Sequence, residues 1–318
     1  MISTFMAIRN GLSSGYPFVE AIKSALPLSD EFLISDGYST DGTYEVLKRY
    51  FEMSNKIKLF RDKWDEKSQN GSSIRNALNA VRNRCKYEYI FEIDANEIVP
   101  EENIQFIKDL PAMYPEKEIF AFPYYQILGD RILFNQEFRF RLAKNESDIK
   151  VLYDGNTMGF RFTIENLLER RSLRRIKSRF TSMIAEGRQV GLPIPEVYVY
   201  LEKPIFRYYS LFPENYENKM KSKILLQPHS DYNLFAKDDS KNTYHQIYEQ
   251  YKEDGNYALF WDRIYDLNVE MKRRGYKINK EFIERRIIDE KEQPEIIRSL
   301  FGHSKYEPEK CEPNEFGD

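Results

Sequence analysis

The first hundred residues switch repeatedly between two hydrophobic periods, and that switching restricts the fold more than any other feature of the chain. Ile2 to Ile8 is a short apolar run of the kind that forms a buried strand. Phe18, Val19 and Ile22, with Leu26 beyond, mark one face of a short helix, and Pro17 suits its first turn. Phe32 to Ile34 is a second strand. Thr40 or Asp41 can cap a helix carrying Val46, Leu47 and Phe51. Ile57 to Phe60 is a third strand. Ile74, Ala77, Leu78, Val81 and Cys85 form a helical stripe, and Tyr89 to Ile93 is a fourth strand. The order β-α-β-α-β-α-β implies an α/β protein with a mostly parallel sheet covered by helices. Such sheets bind ligands beyond the carboxyl ends of their strands. Arg9-Asn10, Asp36-Gly37 and Asp94 follow three of those ends.

Composition removes several alternatives. The 48 basic and 51 acidic residues of this 318-residue chain leave a net charge of -3, and 15% of residues are aromatic, so disorder is excluded. A dedicated nucleic-acid binder would be basic overall, so no nucleic-acid partner is expected. Two cysteines, Cys85 and Cys311, cannot make a disulfide scaffold and read as reduced thiols of a cytoplasmic protein. No stretch approaches the ~18 apolar residues of a membrane span. MISTFMAIRNG reads as a first strand rather than as a secretory signal.

Beyond Pro111 the pattern changes. Residues 119–128, 137–144 and 149–155 read as strands or ribbons with aromatic faces, and residues 193–204 as a proline-punctuated crossing. From Pro213 onward the chain reads as mainly helical, with Tyr257 to Arg274 the surest segment. From Lys305 it is polar and proline-broken, which suggests a frayed tail.

Three motifs could carry chemistry. In Asp36-Gly37-Tyr38-Ser39-Thr40-Asp41-Gly42-Thr43, between strand and helix, the leading carboxylate could accept a hydrogen bond from a base or ribose. A capped turn without a ligand is the simpler alternative. Arg75-Asn76, at the start of the third helix, could meet an anion or be a solvated face. Asp94-Ala95-Asn96-Glu97 ends the fourth strand. Alternate oxygen ligands there would suit a hard divalent cation shared with phosphates, though a polar strand end is equally simple.

Taken in order, these motifs closely resemble the family 2 glycosyltransferases of GT-A fold. The likeness begins at Ala7-Ile8-Arg9-Asn10-Gly11 and continues through Ser29 to Ile34 and Trp64. It implies a Rossmann-like GT-A domain with a nucleotide-sugar-binding half over 1–110 and an acceptor-side half over 111–205. A helical C-terminal extension would span 206–304 and a flexible tail 305–318. It further implies a nucleoside-diphosphate sugar as donor, a divalent Mn2+ or Mg2+ ion, and inverting transfer. By position, Ala7 and Arg9 would flank the nucleoside, Asp36 would hold the base or ribose, and Arg75 would face the diphosphate. Asp94 and Asn96 would face the metal, with Glu97 as the trailing acid.

Two departures from the family pattern stand out. Asn96 stands where many members have Asp, which should weaken a metal site. Met158-Gly159 stands where a common branch carries His-Glu. A carboxylate base is still needed to deprotonate the acceptor hydroxyl. Asp154 is the first candidate, followed by Glu165 and Asp130. The run from Arg170 to Arg179 could be a solvated helix face. It could also meet a lipid-phosphate-linked acceptor or an anionic membrane surface, so that the protein sits peripherally on a membrane. A plain glycan and a protein-linked acceptor are the other options. Pro204 to Tyr216, with Lys219 or Lys223, resembles the family's later aromatic stretch. The competing readings are a catalytically degenerate glycosyltransferase-like binding protein and a sugar-phosphate nucleotidyltransferase. The latter wants a denser glycine-rich, basic loop than Arg9 to Gly15 supplies.

Overall fold

The computed structural model describes residues 1–51, 54–65, 72–152, 157–160, 198–216, 218, 238–275, 286–288 and 290–308. Its first half follows the hydrophobic periods. Strand β1 (Ile2–Ile8) pairs in parallel with β2 (Glu31–Asp36) on one side and β4 (Tyr89–Glu92) on the other. β3 (Ile57–Arg61) extends the sheet beyond β2. Helices α1 (Phe18–Ala25), α2 (Thr43–Phe51) and α3 (Ser72–Arg82) make the crossovers. Side chains alternate across a strand, so Phe5 and Met6 enter different cores, as do Leu33 and Ile34. Met6 and Ile34 join Phe18, Ile22, Leu47 and Phe51 of α1 and α2. Phe5 and Leu33 pack with Leu78 and Val81 of α3.

The second half of the sheet is mixed. After the short β5 (Glu97–Ile98) comes α4 (Ile104–Met113), with Pro111 inside it. β6 (Ile119–Leu128) and β7 (Arg131–Lys144) form a long antiparallel pair, and β7 lies antiparallel to β4. β8 (Ile149–Leu152) and β9 (Thr157–Phe160) make a separate hairpin. Asn79 of α3 holds that hairpin by donating to the Val151 carbonyl at 2.9 Å and accepting from its N–H at 3.0 Å. β10 (Tyr198–Tyr200) and β11 (Ile205–Ser210) pair in parallel with successive stretches of β6, and β5 closes the edge against β11. β12 (Arg286–Ile287) adds to β7. Strands occupy the expected 119–128 and 137–144, the latter beginning six residues earlier at Arg131, and the first four residues of 149–155, of which 153–155 lie outside the described residues.

Helices α5 (Asp238–Asp254) and α6 (Tyr257–Gly275) build an aromatic cluster around fully buried Trp261. Tyr216, Tyr257 and Phe260 meet the indole edge-on, with ring centroids 4.9–6.1 Å away. The turn between β6 and β7 docks directly on this ring. Gly129 has φ +61°, and a Cβ there would lie 2.3 Å from Trp261, so only glycine fits. Among the described residues, no helix is long and apolar enough to cross a membrane.

The expected tail departs from its composition. Lys305 is exposed, but Tyr306 and Pro308 are buried and Glu307 is half-buried. Its ring lies 5.6 Å from Phe18 and 5.3 Å from Phe212, its hydroxyl donates to Glu20 at 2.7 Å, and its N–H donates to Asn215. Tyr50 donates to the Pro308 carbonyl. One aromatic ring with a satisfied hydroxyl outweighs the surrounding polar sequence. Residues 309–318 lie outside the described residues. Replacing Tyr306 by Phe keeps the ring but removes a hydrogen bond to a buried carboxylate. It should lower the unfolding free energy by about 1–3 kcal/mol, measurable by urea denaturation.

Candidate active site

The parallel register brings the motif residues to one edge. Ile8 lies beside Asp36, and Asp36 beside Arg61, so Arg9, Asp36 and Arg61 end neighbouring strands, with half-buried Ala7 just inside. Asp94 follows β4 at the same edge. The turn after β2 is built by its own polar residues. Ser39 and Thr43 hydroxyls accept from the Asn10 and Leu12 N–H groups, and Asp41 accepts from Ser13 at 2.7 Å and from the Thr43 N–H at 3.1 Å. Asp41, not Thr40, therefore serves the start of α2, and these residues hold the loop after β1 in place.

Asp36 is different. Its carboxylate is fully buried, and Oδ2 accepts from the Ser39 N–H at 3.1 Å and from Arg61 at 3.3 Å. Oδ1 is buried without a partner. Gly37 carries the chain past the Trp64 indole and Arg9, since a Cβ there would lie 2.7 Å from Trp64 Nε1 and 3.0 Å from the Arg9 Cβ. That indole nitrogen is also buried without a partner. Arg61 lies over the rings of Tyr38 and Tyr44, and Tyr38 is exposed with φ 57°. A buried, unused acceptor beside an unused donor is a local arrangement that a polar heterocycle could complete.

Around Asp94 the structure assembles a charged cluster that the motif alone does not contain. Arg141 of β7 is fully buried. It donates from Nη1 to Glu92 at 2.6 Å and from Nη2 to Glu97 at 2.6 Å and Asp94 at 3.2 Å. It also donates from Nε to the Tyr124 hydroxyl at 3.1 Å. Arg207 of β11 lies 3.5 Å from the same Asp94 oxygen. Burial alone would raise the Asp94 carboxyl, but Arg141 and Arg207 reverse this and hold it below the usual carboxylate range. Burial pushes Glu92 up to about 8, which Arg141 offsets only in part, and Asp94 and Glu97 add repulsion. Glu97 is raised by burial as well.

Asn96 is tied to β11. Its side-chain amide nitrogen donates to the Tyr208 carbonyl at 2.8 Å, and its backbone carbonyl accepts from the Tyr208 N–H at 2.8 Å, so it clamps that strand. An aspartate could not make the first bond. Among the described residues, no group of three His, Cys, Asp or Glu side chains is arranged to hold a metal. Asp94, one-fifth exposed, is the side chain that could offer a hard oxygen to a divalent cation, with phosphate oxygens and water completing the shell.

Arg75 lies half-buried in the first turn of α3. Met158, where the family branch has His-Glu, is a buried β9 side chain packed with Val151 and Leu78. Asp130 pairs with Arg131, which also binds Asp262 of α6 at 2.8 Å. Asp154, Glu165, the run from Arg170 to Arg179, Lys219 and Lys223 lie outside the described residues. Sequence reasoning missed Arg141 and Arg207. The available signal was arginine alternating with aromatic residues in 137–144, a pattern that puts Arg139 and Arg141 on one face of a strand.

An α/β sheet with acids and arginines at the carboxyl edge of its parallel half is a ligand-binding arrangement of the open α/β class. Residues 5–175 match Glycosyl transferase family 2, and the chain belongs to that family. Comparison with curated proteins yields no match. Among solved structures, the chain is similar to S. aureus TarS 1-349 in complex with UDP-GlcNAc. Identity is 17% over 40% of this chain and 35% of that one, with a TM-score of 0.32. This chain therefore spans about a third of that relative. S. aureus TarS 1-349 alone gives 12% identity over 88% and 76%, with a TM-score of 0.40. The mannosyltransferase PcManGT from Pyrobaculum calidifontis, in complex with GDP-Man and Mn2+, gives 13% over 87% and 76%, with a TM-score of 0.39.

Two outcomes follow from the Arg141 cluster. Arg141→Met leaves buried carboxylates without their counter-charge and should cost about 3–5 kcal/mol in urea denaturation at neutral pH. Glu92 binds its proton more tightly folded than unfolded. Its contribution to stability is complete below the ordinary carboxylate value near 4.5 and is lost as pH rises through about 8. The difference in unfolding free energy, Glu92→Gln minus wild type, should therefore grow steadily between pH 5 and 8.5. A constant difference would contradict the assignment.

Proposed function

We propose that the protein is a glycosyltransferase that moves a sugar from a nucleoside-diphosphate sugar to an acceptor hydroxyl, with inversion. The observation that carries this reading is the pairing, at one sheet edge, of buried Asp36 with its unused oxygen and partly exposed Asp94. Family membership supplies the reaction class.

In this reading Asp36 Oδ1 accepts from the base or ribose, and Ala7 and Arg9 flank the nucleoside. Arg75 faces the diphosphate, and Asp94 lies where the leaving group gathers charge. The acceptor oxygen attacks the anomeric carbon as the bond to the diphosphate breaks. Its proton passes to a carboxylate, for which Asp154 and then Glu165 are the candidates. A magnesium or manganese ion held on Asp94 would shield the departing diphosphate. Asn96, whose amide nitrogen is committed to Tyr208, would serve that ion through its side-chain oxygen. The acceptor is a glycan or a lipid-phosphate-linked saccharide. The run from Arg170 to Arg179 favours an anionic acceptor and peripheral contact with a membrane from the cytoplasmic side.

The test is nucleoside diphosphate release from a panel of UDP-, GDP- and TDP-sugars with manganese and candidate acceptors. Asp94→Ala should lower the rate at least about 100-fold. Asp36→Asn should weaken nucleotide binding roughly 10-fold or more, because a single-donor contact to a buried carboxylate is lost. Wild-type protein that releases nothing from any donor, and binds none of them, would remove the proposal.

A further inference from the structure

Two guanidinium groups reach the same Asp94 oxygen, and they differ in what else they do. Arg141 is fully enclosed, and each of its three nitrogens has a partner among Glu92, Asp94, Glu97 and Tyr124. It is committed to the fold. Arg207 is 19% exposed at the place where Asp94 is 20% exposed. Among the described residues its ion pair is the one with Asp94, at 3.5 Å, and its Nε is buried without a hydrogen-bond partner. A guanidinium carries five donors, so Arg207 holds unused hydrogen-bonding capacity next to partly exposed Asp94.

Its position is fixed rather than loose. Arg207 pairs with Glu97 in the β5–β11 ladder, and the adjacent Tyr208 is clamped through both backbone groups by Asn96. The residue that departs from the metal-binding pattern is thus the one that sets β11, and β11 carries the cation. A divalent ion on Asp94 would meet a carboxylate whose one oxygen already faces two guanidinium groups.

We infer that Arg207 is a donor-binding residue, which supplies to the diphosphate leaving group much of the positive charge that a divalent cation would otherwise provide. This rests on the nucleotide-sugar reading above and adds to it a specific consequence. Binding of nucleoside diphosphate should survive removal of metal. A guanidinium can fork onto two phosphate oxygens, so it takes up the growing charge without coordination chemistry.

Isothermal titration of the full chain with UDP and UMP, and in parallel with GDP and GMP, tests this in EDTA and in manganese. Wild-type protein should bind the diphosphate in EDTA within about tenfold of its affinity in manganese. Arg207→Gln should weaken the diphosphate in EDTA by roughly 10- to 100-fold, the range of a charged hydrogen-bonded contact. It should weaken the monophosphate much less, and Arg207→Lys should recover part of the loss. A purely structural role would lower both nucleotides alike, so an unchanged diphosphate-to-monophosphate ratio would overturn the inference. Loss of wild-type diphosphate binding in EDTA would overturn it independently of whether any variant folds. Binding of no nucleotide in either condition would remove the glycosyltransferase reading along with it.

Discussion

Arg141 joins the two halves of the sheet. It comes from the antiparallel half, on β7, and its partners Glu92, Asp94 and Glu97 come from the end of the last parallel strand and the turn beyond it. A buried guanidinium without partners would be prohibitively costly, and so would three clustered carboxylates. Each side therefore requires the other, and the strand pairing of β4 with β7 brings them together. The acidic turn that carries Asp94 is tied to the cation beside it. Charge balance, more than hydrophobic burial, positions this edge of the site.

The same logic explains why the turn could be seen in the sequence and its support could not. Strands Ile2–Ile8 and Ile119–Leu128 are continuous apolar runs, and the face of α1 repeats at helical spacing, so local pattern reveals them. Asp36 and Asp94 follow strands, which marks them as edge residues. Arg141 lies 44 to 49 residues from its carboxylates, and Arg207 comes later still. In a linear reading an arginine in a strand is a solvated side chain. Asn96 is legible only in part: its spacing suggests a metal ligand, and the fold adds that its amide nitrogen donates to a backbone carbonyl 112 residues on. Met158 fills the core beneath the β8–β9 hairpin, a packing role that its position in the motif does not reveal.

The aromatic content is likewise distributed by layer. The parallel half uses its rings as core, with Phe5, Phe32 and Phe91 fully enclosed. The C-terminal helices instead form a cluster around Trp261, which receives the β6–β7 turn through Gly129. That cluster is linked to the site through the sheet, because β6 carries Tyr124 at Arg141 and leads into the turn at Trp261.

Tyr306 has a consequence for how the molecule is made. Its hydroxyl meets Glu20 and the Val19 N–H across 286 and 287 residues of chain. A ribosome adding roughly 5–20 residues per second leaves α1 waiting tens of seconds for that ring. Throughout that interval the helix face that will receive Tyr306 is uncovered. The N-terminal half can collapse early, but this face closes only once residue 306 has been made, so the nascent chain presents an unfinished apolar surface to whatever binds such surfaces in the cell.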